Sequence, residues 1–245
     1  TWFGMVDSEF NLQQVFKKPV YSVHSTLNNI DLSKLTKNKE LQSDLNINLR
    51  VSGEGTQVDN LNTEVDLELW DSHFLDKPVS NMNMSLFYDK GRYSLYGLHL
   101  NTPYATVGAE GEGNLRGNNL LKFEFLPKNM RGLTEVMHLP DADLKGAVNG
   151  EVSGKVDSMN LSVQYDLSSI EYDSLRIKRL KGDLSAFSGD SLLTGKFDSL
   201  SLSARYNLSS IEYDSLHIES LRGDVSASSK DSLVNGQVDF TADSS

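Results

Sequence analysis

The chain has 245 residues, of which 38% are hydrophobic, no cysteine, and a formal charge of -11. The missing thiols exclude disulfide staples, thiolate metal sites and a cysteine nucleophile. The acidic balance excludes a nucleic-acid groove or a polybasic membrane patch, because either needs clustered Lys and Arg.

The leading segment, residues 1–29, holds one of two basic knots, Lys17-Lys18-Pro19. Ile30 to Leu35 (IDLSKL) reads as a short helix. After it the dominant pattern is strict alternation, the period of a strand with one apolar and one polar face. Leu45, Ile47, Leu49 and Val51 alternate with Asn46, Asn48 and Arg50; Val65, Leu67 and Leu69 alternate with Glu64, Asp66 and Glu68; Met82, Met84, Leu86 and Tyr88 follow suit. In Gly108 to Gly117 (GAEGEGNLRG) the glycines fit a thin, bendable strand, since a phosphate loop needs a strand running into a helix. Lys128 to His138 reads as a second helix, and each helical piece precedes an Asp-Leu strand ending in Val-Ser-Gly. That shared order predicts two degenerate modules, 30–125 and 126–245.

The second module contains a tandem repeat. Residues 154–194 recur as 195–235 without insertion, roughly 26 of 41 positions identical, and a third copy begins at Gly236. A chain that starts at Thr1 and stops inside a repeat suggests a piece of a longer, quasi-one-dimensional protein. Each copy reads as about four strands of an antiparallel meander, with turns at Ser168-Ser169, Gly182-Asp183 and Gly189-Asp190. The apolar parity changes between Tyr172 and Leu175, which predicts a β-bulge at Asp173-Ser174, repeated at Asp214-Ser215.

Catalysis finds little footing in these residues. The five histidines lie on separate segments, none at metal-ligand spacing, and His217 is Arg176 in the sister repeat. Acids two apart, such as Glu64, Asp66 and Glu68, are the solvated face of a strand. The run Asp141-Ala142-Asp143 with Gly146 fails as a calcium loop, because Lys145 takes a ligand position and Val152 stands where Glu is needed. The expectation is no enzyme, no cofactor and no metal site. A propeller fits the period, but neither copy carries Trp or a Gly-His signature.

Asn28 to Leu35, Ser43 to Gly55, Tyr93 to Gly113, and Asp143 to Ser185 with its copy form a set of segments that together resemble the periplasmic TamB/AsmA-like family, the translocation and assembly module proteins related in architecture to bridge-like lipid-transfer proteins. The resemblance implies an all-β fold: an elongated, curved antiparallel repeat sheet, a β-taco or open groove with an apolar concave face and one or two short helices. It further implies movement of phospholipid acyl chains between inner and outer membranes and a periplasmic location in a Gram-negative-type envelope, with the parent anchored in the inner membrane. A link to outer-membrane protein assembly through a barrel partner of the parent chain is implied too.

The residues support such a groove by themselves. If consecutive strands keep their parity, one continuous face is lined with Leu, Val, Ile, Tyr and Phe, and a single layer leaves it unburied. In the first repeat the predicted lining is Leu161, Val163, Tyr165, Leu167, Ile170, Tyr172, Leu175, Ile177 and Leu184. In the second it is Phe197, Leu202, Ala204, Tyr206, Leu208, Ile211, Tyr213, Leu216, Ile218 and Val225. The competing reading is a β-repeat adhesin or structural stalk with a closed apolar core. An adhesin should carry aromatic platforms on its polar face, whereas the repeat tyrosines align with the aliphatic residues.

Overall fold

Period-two alternation becomes β-strand across the described residues, and the chain divides into two units, Thr1–Asn114 and Leu115–Ser245. The computed structural model describes residues 4–16, 18–130, 142–155, 157–172, 174–188, 199–230 and 233–243. The first unit contains β1 (Met5–Gln13), β2 (Val20–Ile30), α1 (Leu32–Thr36), β3 (Ser43–Glu54), β4 (Asn62–Phe74), β5 (Lys77–Asp89), β6 (Arg92–Asn101) and β7 (Ala105–Asn114). The second contains β8 (Asn119–Pro127), β9 (Ala142–Lys155), β10 (Ser158–Tyr172), β11 (Leu175–Ser188), β12 (Ser199–Tyr213), β13 (Leu216–Lys230) and β14 (Leu233–Asp243). Within each unit the strands lie in chain order, each antiparallel to its neighbours, as a meander requires. Among the described residues β1 makes no ladder with β7, nor β8 with β14, so neither sheet closes and neither is cut into blades. The fold class is all-β, an open antiparallel sheet.

The strands make substantial contacts only with their sheet neighbours; α1 touches β3 and a 3-10 turn at Lys39–Leu41. Among the described residues no second layer covers the sheet of either unit. Buried apolar residues among those described are therefore few: Ile30, Leu45, Ala105, Met130, Ile177 and Ile211.

The repeats differ from the sequence-based expectation in a definite way. Among the described residues each copy forms a hairpin of two long strands over the span of the first three expected short ones; the fourth expected strand lies outside the described residues in the first copy and falls in β14 in the second. The expected turn at Ser168-Ser169 lies inside β10, where Ser169 is left-handed with φ 54° and the ladder to β9 shifts register. The expected turn at Gly182-Asp183 lies inside β11. The expected bulge at Asp214-Ser215 is the hairpin turn itself, since Tyr213 pairs with Leu216; in the first copy Tyr172 pairs with Leu175 in the same way, and Asp173 lies outside the described residues. Bulge and turn are thus exchanged. The expected Gly189-Asp190 turn and nearly all of the expected 128–138 helix fall outside the described residues. The third copy is laid down differently from the first: β9 ends at Lys155 and β10 begins at Ser158, yet their counterparts Gln237 and Phe240 both lie inside β14.

The expected IDLSKL helix is present as α1, one turn closed by left-handed Lys37 with φ 58°. Asp31 caps it: its Oδ1 accepts from the Ser33 backbone N–H at 3.0 Å and the Ser33 hydroxyl at 2.6 Å, and its Oδ2 lies 3.2 Å from Lys34 Nζ. The Ser33 hydroxyl, followed by Lys34 and the backbone donors of Ser33 and Ser43, lowers the Asp31 carboxyl to about 2. Because the folded pKa lies below the unfolded one, the ionised carboxylate stabilises the fold above pH 4, and this is lost as pH falls from about 4 towards 2. Asp31→Asn is therefore expected to lower the urea midpoint at pH 6, with the gap to the parent closing near pH 2. An equal gap at both values would show that the charge plays no part.

Candidate functional site on the apolar face of the repeat unit

Antiparallel registry decides which side chains meet, since directly opposite residues share a face. Starting from Val163, that registry generates one row across all seven strands of the second unit: Phe123, Gly150, Val163, Leu184, Ala204, Val225 and Val238. The next row along the strands is Phe125, Val148, Tyr165, Gly182, Tyr206, Gly223 and Phe240. A third runs Leu121, Val152, Leu161, Ala186, Leu202, Ala227 and Gly236. Leu167, Leu180, Leu208 and Leu221 make a leucine row on the far side of the tyrosines. These rows hold no charged residue.

Most of the predicted lining residues in these rows share this face and are half-buried: neighbours on the same sheet flank them and none of the described residues lies above them. Beyond left-handed Ser169 and Ser210 (φ 54° and 50°) the ladder continues as separate rows. Ile170, Ile177, Ile211 and Ile218 stand opposite one another, with Ile177 and Ile211 buried. Tyr172, Leu175, Tyr213 and Leu216 form the row at the hairpin turns, where Tyr172, Tyr213 and Leu216 are exposed. Phe197 lies outside the described residues.

Sequence reasoning missed the participation of β8, β9 and β14, because their apolar residues align with the repeats only through registry. It also missed what the glycines do. The ring of Phe123 lies over Gly150, that of Tyr165 over Gly182 and that of Tyr206 over Gly223; a Cβ at any of these glycines would strike the ring beside it. Each aromatic side chain is thus laid across the adjacent strand instead of standing off the sheet. Tyr165 reaches far enough to donate its hydroxyl to the Arg205 carbonyl oxygen at 2.9 Å, two strands away. Burial, with a smaller contribution from the Asp183 charge, raises the Tyr165 phenol, which stays a neutral donor at physiological pH. The tyrosines contribute ring faces, and Tyr165's polar end is spent on backbone.

The opposite face is charged. Asn149, Gln164, Asp183, Arg205, Asp224 and Asp239 form its central row. Arg205 pairs with Asp183 at 3.1 Å. Arg179 grips Asp166 through two hydrogen bonds of 2.8 and 2.6 Å, and that hydrogen-bonded guanidinium lowers the Asp166 carboxyl. Among the described residues no three His, Asp or Glu side chains are grouped to hold a metal ion, and no helix is long and apolar enough to cross a membrane.

Among the described residues, fold and face define a single-layer antiparallel sheet of stacked hairpins with one uncovered apolar side. Comparison with protein-family models, with curated proteins and with solved structures gives no match.

The aromatic–glycine stacking is directly testable. A methyl at Gly182 would collide with the Arg205 carbonyl oxygen as well as with Tyr165, and overpacking of this kind costs about 1–3 kcal/mol. Gly236, on the same face, has only the Ser226 carbonyl oxygen at 3.5 Å from a built Cβ. Gly182→Ala is expected to lower the denaturation midpoint clearly, and Gly236→Ala to leave it within about 0.5 kcal/mol, by urea titration followed by circular dichroism.

Proposed function

We propose that the apolar face of the second unit carries phospholipid acyl chains, as a segment of a lipid-transfer protein working between the inner and outer membranes of a Gram-negative-type envelope. The observation that supports this reading is a set of adjacent cross-strand rows, free of charge over seven strands, with no layer of described residues above them. Uncovered apolar surface is a sink for hydrocarbon. Covering about 300 Å² at about 25 cal/mol per Å² is worth about 7–8 kcal/mol before the cost of ordering the chain.

The rows also suit conduction better than storage. Contacts with Leu, Val and Ala are non-directional, so a methylene chain moving from one strand to the next exchanges like surroundings for like. With Tyr165's hydroxyl bonded to backbone, no free donor at that position would hold a headgroup. The headgroup stays in water, as an amphipathic ligand on a one-sided surface requires. Aid to outer-membrane protein assembly through a barrel partner, and membrane anchorage, belong to the same proposal. They rest on the family resemblance alone.

The deciding experiment is site-specific photocrosslinking in intact cells. A benzophenone amino acid at Val163 or Tyr206 is expected to give phospholipid adducts, and the same probe at Gln164 or Arg205, on the charged face, is expected to give none. Lipid adducts at neither pair in a well-expressed protein would overturn the conduit and favour an adhesin or scaffold whose apolar face is covered by protein.

A further inference from the structure

The polar face of the first unit has one feature that the alternation of its strands does not account for. Tyr96 breaks the β6 pattern: the ladder to β5 runs from Ser85 opposite Gly97 directly to Leu86 opposite Leu95, leaving Tyr96 as the extra residue of a bulge. The ladder to β7 skips the same place, between Leu95 and Leu98. A bulge re-aims a side chain, and here the ring is 64% exposed beside an open recess of about 640 Å³.

Registry assembles the recess wall from two adjacent rows. Arg50 stands opposite Asp66, Asp66 opposite Ser85, and Ser85 opposite Gly97; alongside, Glu68 stands opposite Asn83 and Asn83 opposite His99. The floor beside the tyrosine is bare, because a Cβ built at Gly97 would meet nothing within 4 Å. Ser85 donates to Asp66 at 2.7 Å, which orients that carboxylate. Asn48 donates to Glu68 at 3.4 Å from the rim. An exposed aromatic plane, a guanidinium, two fixed carboxylates, an amide and an imidazole thus converge on one shallow recess.

We infer that this recess is a carbohydrate site, in which a pyranose ring stacks on Tyr96 while Arg50, Asp66, Asn83 and His99 bond its hydroxyls. The chemistry follows from the mixture. A sugar presents a C–H face to an aromatic plane and a rim of hydroxyls that act as donors and acceptors together, so carboxylate, amide and guanidinium are all satisfied. A purely apolar ligand would strand those groups. One cation against two anions makes the recess acidic, which selects neutral or amino sugars over uronic acids. A shallow recess open on one side fits one or two residues of a longer chain, not an enclosed monosaccharide. The site lies on the face opposite the first unit's apolar rows, and in the other unit from the proposed lipid face. It stands or falls independently of the conduit.

Nuclear magnetic resonance titration of the purified protein with chitotriose, maltotriose and a trigalacturonate tests the inference. A neutral trisaccharide is expected to shift the Tyr96 ring and His99 resonances with millimolar or tighter affinity, and trigalacturonate is expected to bind at least tenfold more weakly. Tyr96→Ala should weaken binding at least tenfold and Tyr96→Phe less than threefold, both with the strand signature of the far-ultraviolet spectrum unchanged. No shift with either neutral sugar at 10 mM, equal binding by Tyr96→Ala, or preference for the galacturonate would each overturn it.

Discussion

The constraint from which the rest follows is antiparallel registry between neighbouring strands of a sheet that, among the described residues, is one layer thick. With no second layer, the packing that normally specifies a core is missing, and the backbone ladder must hold the strands in place. A slip of one residue would send every apolar side chain to the charged face, so the alternating pattern itself pins the ladder. That is why Val163, Leu184, Ala204 and Val225, drawn from different repeats and strands, arrive in one row. Cross-strand pairs such as Arg205 with Asp183 reinforce the same choice from the charged side.

Left-handed residues mark where the ladder bends. Among the non-glycine residues within strands they include Asn29 in β2 and Asp71 in β4 of the first unit, and Ser169 in β10 and Ser210 in β12 of the second. Each falls on an alternate strand, and the strand between adapts without one. Asn29 and Asp71 are further fixed by side-chain bonds around them: the Asn29 amide donates to Asp44, and Asn46 donates to the Asp71 carbonyl oxygen. These are the polar residues that tolerate positive φ, which is how a kink is built without glycine and without opening a gap in the face.

Much of this was legible in the chain. The period-two runs, the short helix after Ile30, the meander and the apolar parity of the repeats all followed from local pattern, because alternation is a local signal. The exchange of turn and bulge was not. Ser168-Ser169 and Asp173-Ser174 are both turn-forming pairs next to an odd step in the apolar pattern, and nothing within ten residues ranks them. The choice depends on Leu167 finding Leu180, and Tyr172 finding Leu175, across the hairpin. The role of Gly182 was hidden for the same reason, since its partner Tyr165 is 17 positions away and meets it only when the hairpin closes. Tyr96 was concealed by a bulge that no residue in YSLYGLHLN announces.

One hairpin per repeat also makes the chain a ruler. Strands lie about 4.8 Å apart, so each 41-residue copy widens the sheet by two strands, or about 10 Å, and presents the same side chains again. Duplication or loss of a copy changes the distance spanned in fixed steps while leaving the local environment of every row as it was. A protein of this kind can be fitted to a wider or narrower gap by recombination alone, without redesigning a single contact.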